Sequence, residues 1–323
     1  MTEEITFQSM PSYTILNVLA AVMTIGLIAS IPLFGTYFVF PAVMSMFVAF
    51  GFAFAAYIFA PKPVAETYGG MKQQLLTFLL PSTSILMFAA LFAYRGSIFY
   101  WLAMTMAVAF TILYKPPKMP KLDVKVGIFG AFVMFIVVIL IAFLLGQFKI
   151  LSFHQAIQLI QLTWSPIQLD SQGDPILLQV EAISMFLIVA MGEELWARLT
   201  MGYGATSLVG PRTAWLWSTF WFLYLHTPSR LMMLFLFPWL VPVIIGILGA
   251  VMVIFLIFYR KNPNIFTGII MHATYNTLLS GLEYGTLFID LVVLGLLIYV
   301  TMKVADTNIE IHVPQIVKEV IEK

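Results

Sequence analysis

Glu193-Glu194-Leu195-Trp196-Ala197-Arg198 follows directly on the apolar run Ala182–Gly192, in one of the most hydrophobic regions of the chain. Each ionisable side chain at the centre of a spanning helix costs roughly 2.5–3.5 kcal/mol on insertion scales, so such residues usually face a bundle interior and have a function. Glu194 and Arg198 are four residues apart, one above the other on a helix, and can pair. Glu193 is rotated by about 100° and cannot easily reach the same guanidinium. The stretch therefore predicts that the Glu194 carboxylate is neutralised by Arg198, whereas the Glu193 carboxylate is available for another role.

The composition around this stretch is that of a polytopic membrane protein. Of the 323 residues, 61% are hydrophobic and only 10% are charged. The mean hydropathy is +0.99, a balance that soluble globular domains do not have. The chain has no cysteine, which excludes disulfides, thiolate zinc sites and cysteine nucleophiles. The net charge of +1 gives no information about nucleic acid, and the chain has no basic tract with interleaved aromatic residues.

The long apolar segments predict an all-α fold of about ten transmembrane helices, without an internal repeat. The predicted spans cover roughly 13–33, 38–60, 74–94, 96–114, 126–148, 179–201, 213–227, part of 231–259, 264–280 and 284–303. Residues 149–178 predict a helix in the membrane interface, which begins with a capping box formed by Ser152 and Gln155. An Asp/Gly/Pro loop follows this helix.

The stretch Lys115-Pro116-Pro117-Lys118-Met119-Pro120-Lys121 predicts a solvated loop and marks a junction between two membrane regions. We divide the chain into an N-terminal four-helix region, 1–121, a membrane core, 122–303, and a polar tail, 304–323. The acidic start, Met1-Thr2-Glu3-Glu4, argues against a cleaved signal peptide.

The basic residues predict that both termini are cytoplasmic. With ten spans, Arg95, Lys149 and Arg230 fall on one side of the membrane, and twelve basic residues fall on the side of the termini. These twelve are Lys62, Lys72, Lys115, Lys118, Lys121, Lys125, Arg212, Arg260, Lys261, Lys303, Lys318 and Lys323.

Two of the four histidines fall inside predicted spans. His226 lies near the end of the seventh span, and Phe222, four residues earlier, can pack beneath its imidazole. His272 lies in the ninth span, and Asn276, four residues later, projects from the same face. A lone intramembrane histidine is commonly a structural group. Together with Glu193, these residues supply a general base, a water-positioning group and an oxyanion-binding pair, which are the groups needed to attack an amide.

The three patterns Glu-Glu-x-x-x-Arg (193–198), Phe-x-x-x-His (222–226) and His-x-x-x-Asn (272–276) resemble the ordered motifs of the CPBP family. These CAAX-processing and bacteriocin-processing intramembrane proteases include the Rce1-type prenyl-protein endopeptidases. The resemblance covers roughly 126–300 and implies a protease core over 122–303. The core of the family is an eight-helix membrane bundle.

The chain departs from the family pattern at two places. Ala197 and Leu199 stand where family members usually have an aromatic residue and a glycine. After His226 the family usually has small or apolar residues, whereas Thr227-Pro228-Ser229-Arg230 follows here. These departures concern the shape of the substrate pocket more than the chemistry.

The resemblance implies a role for each motif residue. Glu193 would activate the attacking water with help from His226, and burial would adapt the carboxyl to act as a base. His272 and Asn276 would stabilise the oxyanion. Glu194, held by Arg198, would support the site, as the helix spacing already indicates.

A catalytic zinc ion is the alternative chemistry. Glu193, His226 and His272 are enough ligands for one. The sequence contains no His-Glu-x-x-His helix, and the His/Asn pair suits an oxyanion site better than a ligand set. We therefore expect a reaction without a cofactor.

These observations predict an intramembrane glutamate-dependent endopeptidase that cleaves a peptide or protein at the membrane; a CAAX substrate is implied by the family name alone. The expected partners are membrane lipids and a peptide or protein substrate, without nucleic acid. A non-catalytic family member that acts as a scaffold or regulator is one alternative. A transporter with an intramembrane Glu/His/Arg proton relay is another, although the sequence lacks paired broken helices. Asp290 and the Met-rich and Phe-rich stretches are expected to be structural or lipid-facing.

Overall fold

The computed structural model describes residues 36–59, 102, 119–153, 155–157, 190–203, 211–225, 239–284 and 287–306. Every regular element in these ranges is a helix, which confirms the all-α prediction for this part of the chain. The elements are α1 (Thr36–Phe59), α2 (Val124–Gln147), a π-helix (Leu195–Tyr203), α3 (Pro211–Leu225), α4 (Leu240–Lys261), α5 (Ile265–Tyr284) and α6 (Leu287–Asp306).

Three of the described helices are long and apolar enough to cross a membrane: Val39–Phe59 in α1, the whole of α2 and the whole of α4. Large apolar side chains such as Phe47 and Phe129 are exposed on α1 and α2, as expected where a helix faces lipid. The protein is therefore built as an integral membrane protein. The predicted spans 13–33, 74–94 and 96–114 lie outside the described residues, so the ten-span count stays a prediction.

The helix α4 is the most buried of these three and lies at the centre of the described bundle. It contacts α1, α2, α3 and α5, while α1 also packs along α3, and α5 packs along α2 and α6. A Cβ atom at Gly249 of α4 would overlap the ring of Phe52 of α1, so the two helices approach closely there. Since α1 belongs to the N-terminal region 1–121, at least this helix is packed directly onto the core. The predicted domain boundaries stay a prediction.

The uncharged segment 231–259 contains a single helix where the structure describes it. Pro242 lies in the first turn of α4, where a missing backbone N–H costs no intrahelical hydrogen bond. From there the helix continues to Lys261, and Asn262 caps it. Pro238 and Pro242 in the segment 231–259 predict a short kinked or re-entrant piece before the eighth span. Residues 231–238 lie outside the described residues, so this piece stays a prediction.

The predicted capping box is confirmed. The backbone N–H of Ser152 donates to Oε1 of Gln155, over 3.0 Å, and the N–H of Gln155 donates to Oγ of Ser152, over 3.1 Å. Just before it, Lys149 has a φ of 56° and its N–H donates to the carbonyl of Gly146. This left-handed residue ends α2 and turns the chain into the capped segment.

Candidate functional site

The Glu-Glu stretch lies at a change of helix type. Residues 190–194 are α-helical, whereas Leu195–Tyr203 form the wider π-helix, which the helix-spacing argument did not foresee. The predicted pairing is nevertheless present, because Nε of Arg198 donates to Oε2 of Glu194 over 3.1 Å and both side chains are buried. Segments of π-helix occur frequently at functional sites.

Glu194 has a second partner in His272 of α5. Its Oε1 atom is 2.9 Å from Nδ1 of His272, so the carboxylate accepts from Arg198 with one oxygen and from the imidazole with the other. Glu194 therefore contacts His272 as well as Arg198, and the helix spacing alone does not predict this second contact. A buried carboxylate has two oxygens that need donors, and a single arginine nitrogen satisfies only one of them.

Glu193 faces the other nitrogen of the same imidazole. Oε2 of Glu193 is 4.0 Å from Nε2 of His272, and both side chains are nearly fully buried. This distance exceeds a direct hydrogen bond. A water molecule to one side of the line between the two atoms would reach both of them. The two adjacent glutamates thus lie on opposite sides of one histidine ring.

The contact with Glu194 assigns a proton to Nδ1 of His272. A carboxylate only accepts hydrogen bonds, so the ring nitrogen that faces Glu194 is the donor. The ring also packs edge-on against Phe222, with centroids 6.0 Å apart and planes at 73°. Phe222 therefore supports His272, and its predicted packing beneath His226 stays a prediction because His226 lies outside the described residues.

Asn276 lies one helical turn after His272 on α5 and is buried. Among the described residues, neither its Oδ1 nor its Nδ2 has a hydrogen-bond partner. Leaving a buried amide unsatisfied costs on the order of 1–3 kcal/mol per group, so such a group indicates a place for a polar ligand or water. This is the property that an oxyanion donor requires before substrate arrives.

His226 lies outside the described residues, directly after the last described residue of α3, Leu225. The structure therefore brings together Glu193, Glu194, Arg198, Phe222 and His272. The role predicted for His226 stays a prediction.

Two side chains that contact Arg198 were not predicted from the sequence. Met252 and Phe255, three residues apart on α4, touch its guanidinium group. Both lie in the uncharged segment 231–259, where methionine and phenylalanine predict only packing or lipid contact. No local signal distinguishes them, since their partner lies on another helix.

The two described members of the alternative zinc set lie somewhat farther apart than two ligands of one tetrahedral ion, and the third, His226, lies outside the described residues. Zinc–nitrogen and zinc–oxygen bonds of about 2.0–2.2 Å put two tetrahedral ligands about 3.4 Å apart. The separation of Glu193 Oε2 and His272 Nε2 is 4.0 Å. The reaction without a cofactor stays a prediction, which chelation tests.

Residues 175–278 match the family model described as Rce1-like, type II CAAX prenyl endopeptidase Rce1-like. The matched segment contains all three motifs, from Glu193 to Asn276, and covers about a third of the chain. No curated protein and no solved structure matches the chain. The family match confirms the resemblance that the motifs indicated.

Proposed function

We propose, from the premise that residues 175–278 form an Rce1-like region, that the protein is an intramembrane endopeptidase in which Glu193 is the general base. The observation that carries this proposal is the arrangement of Glu193 and Glu194 on opposite nitrogens of the buried His272. Within the described residues, this is where acid–base groups converge beside a buried amide without a partner, that of Asn276.

In the proposed reaction, a water molecule between Glu193 and His272 attacks the carbonyl carbon of the scissile peptide. The carboxylate of Glu193 takes the proton that the water loses as its oxygen bonds to carbon. The same proton then passes to the leaving nitrogen as the carbon–nitrogen bond breaks. The products are a carboxylic acid and an amine, which then exchange a proton to become a carboxylate and an ammonium ion, and Glu193 returns to its starting state. His226 would help to orient the water, as the resemblance implies.

The proposed roles of His272 and Asn276 are not equivalent. With its single proton on Nδ1, the neutral imidazole presents a lone pair at Nε2, which orients the attacking water. It donates to an oxyanion only after taking up a second proton. The amide of Asn276 is a donor whatever the protonation state, so we propose it as the principal oxyanion donor.

Glu194 and Arg198 have a supporting role in this proposal. Arg198 keeps Glu194 ionised and fixed in a buried place, and Glu194 in turn fixes the tautomer and the orientation of His272. An acidic residue that holds a catalytic histidine through Nδ1 is a recurrent arrangement in hydrolases. The adjacent pair of glutamates thus divides into one that reacts and one that orients.

The substrate class is proposed from the family description, which names CAAX prenyl endopeptidases. The full chain in lipid vesicles should cleave a farnesylated peptide ending in a CAAX sequence, and mass spectrometry identifies the bond. The same peptide without the lipid, and a lipidated peptide with another C-terminus, show whether the prenyl group or the CAAX sequence is recognised.

Each comparison is made with and without phenanthroline. Cleavage that persists with the chelator supports the metal-free mechanism, and cleavage that is lost and then restored by added zinc replaces it with the zinc alternative. If none of these peptides nor a broader set of membrane peptides is cleaved, the endopeptidase proposal fails, and a scaffold or transporter takes its place.

A further inference from the structure

Arg198 is surrounded by side chains from α3 and α4. Its guanidinium carbon is 4.8 Å from the centroid of the Phe222 ring and 4.9 Å from that of Phe255. Its Nη2 atom is 2.9 Å from Sδ of Met252. The side chain is fully buried. Two rings and a sulfur atom from α3 and α4 therefore surround this cation.

The hydrogen bond to Glu194 does not fix Arg198 by itself. Only Nε bonds to the carboxylate, so the pair lacks the two parallel bonds that usually set the plane of a guanidinium. Aromatic faces attract a cation more strongly where water is excluded. The flanking rings therefore help to fix the guanidinium group, which a single hydrogen bond to the carboxylate does not orient.

Phe255 is itself held rigidly. It stacks on Tyr259 one turn later in α4, with centroids 5.6 Å apart and planes at 16°. Tyr259 also lies 5.7 Å from Trp215 of α3. The ring therefore cannot turn away from Arg198 without disturbing an aromatic group that connects α4 to α3.

We propose that Phe255, with Met252 beside it, is a positioning residue for the reaction: it fixes Arg198, and through Glu194 it fixes His272. This inference rests on the proposed function. It assigns a role to α4, which carries none of the three motifs but contacts the buried cation on which the orientation of His272 depends.

The test compares Phe255→Leu with Phe258→Leu in the full chain in vesicles. Phe258 is a buried phenylalanine on the same helix, but it packs against Phe129 and beside Gly130 of α2. We expect Phe255→Leu to lower kcat about tenfold with KM within about twofold, which corresponds to one desolvated cation–π contact. Phe255→Tyr keeps the ring and should restore at least half of kcat. Phe258→Leu should leave kcat within about twofold.

A double-mutant comparison separates positioning from general packing. Arg198→Lys keeps the charge beside Glu194 and loses the planar group that the rings flank. In that background, Phe255→Leu should cause less than a threefold further loss of kcat. A tenfold further loss, an equal loss in Phe258→Leu, or a loss confined to KM would overturn the inference.

The failure of the inference can be distinguished from the failure of the proposed function. A wild-type protein that cleaves and a Phe255→Leu variant with unchanged kcat overturn the inference alone. A wild-type protein that cleaves no substrate overturns the proposed function and the inference together. The unfolding midpoint of each variant, measured in the same preparation, shows whether a lost activity reflects unfolding.

Discussion

Oε1 of Glu194 and Nδ1 of His272 are 2.9 Å apart, a hydrogen bond between residues that are 78 positions apart in the chain. It connects the end of the α-helical segment 190–194 to α5. Because Arg198 bonds the other oxygen of the same carboxylate, the first and third motifs form one network instead of two separate sites. A substitution of any member of this network should therefore change the orientation of His272.

Arg198→Ala should destabilise the protein as well as slow cleavage. The substitution leaves the buried Glu194 with one donor fewer, and breaking a buried ion pair costs on the order of 3–5 kcal/mol. We expect a clear drop in the unfolding midpoint, measured in detergent by tryptophan fluorescence. Arg260→Ala is the control, because Arg260 is exposed and its bond to the carbonyl of Ile58 is long, at 3.4 Å. Equal midpoints for the two variants would contradict the buried pairing.

Asn276→Ala should slow cleavage without unfolding the protein. Removing one oxyanion donor typically lowers kcat on the order of 10²–10³-fold. Thr277→Ala on the same helix is the matched control, since the Thr277 hydroxyl donates to the carbonyl of Ala273 within α5. If both variants retain wild-type kcat, Asn276 is not the oxyanion donor.

Gly249→Ala should loosen the packing of α1 on α4. The added methyl group would overlap the ring of Phe52, and overpacking of this kind costs on the order of 1–3 kcal/mol. Gly246→Ala on the same helix is the control, because its methyl group would be 3.9 Å from Val48. The unfolding midpoint should fall only in Gly249→Ala. Identical midpoints would show that α1 does not pack tightly against the core.

A reporter fused after Lys323 should be found in the cytoplasm. The structure supports the charge argument, because the guanidinium of Arg212 lies 5.4 Å from the ring centroid of Tyr57 and that of Arg260 contacts the carbonyl of Ile58. The chain segments after the predicted second, sixth and eighth spans therefore meet at one end of the bundle. A reporter on the opposite side of the membrane would refute the ten-span arrangement.

Local spacing predicted the parts of this site that lie within one helix. The Glu194–Arg198 pair and the Ser152–Gln155 capping box depend only on separations of three or four residues, and both are present. Spacing also placed His272 and Asn276 on one face of a helix, although no local rule indicates which residues that face meets.

The contacts that organise the site could not be predicted in this way. The bond from Glu194 to His272 depends on how α5 packs, and the contact of Phe255 with Arg198 depends on α4. Apolar residues at helical spacing carry no information about which of them faces a buried cation. The π-helix was also missed, because the residues of Leu195–Tyr203 contain no proline or other local signal for a change in helix type.

The assignment of Glu193 as the general base is tested most directly by comparing the cleavage rate of Glu193→Gln with that of the wild-type protein. Glutamine keeps the shape of the side chain and cannot accept the proton of the attacking water. If Glu193 is the general base, Glu193→Gln should have no detectable cleavage and should keep the unfolding midpoint of the wild-type protein. Cleavage at the wild-type rate in Glu193→Gln would contradict the assignment of Glu193 as the general base.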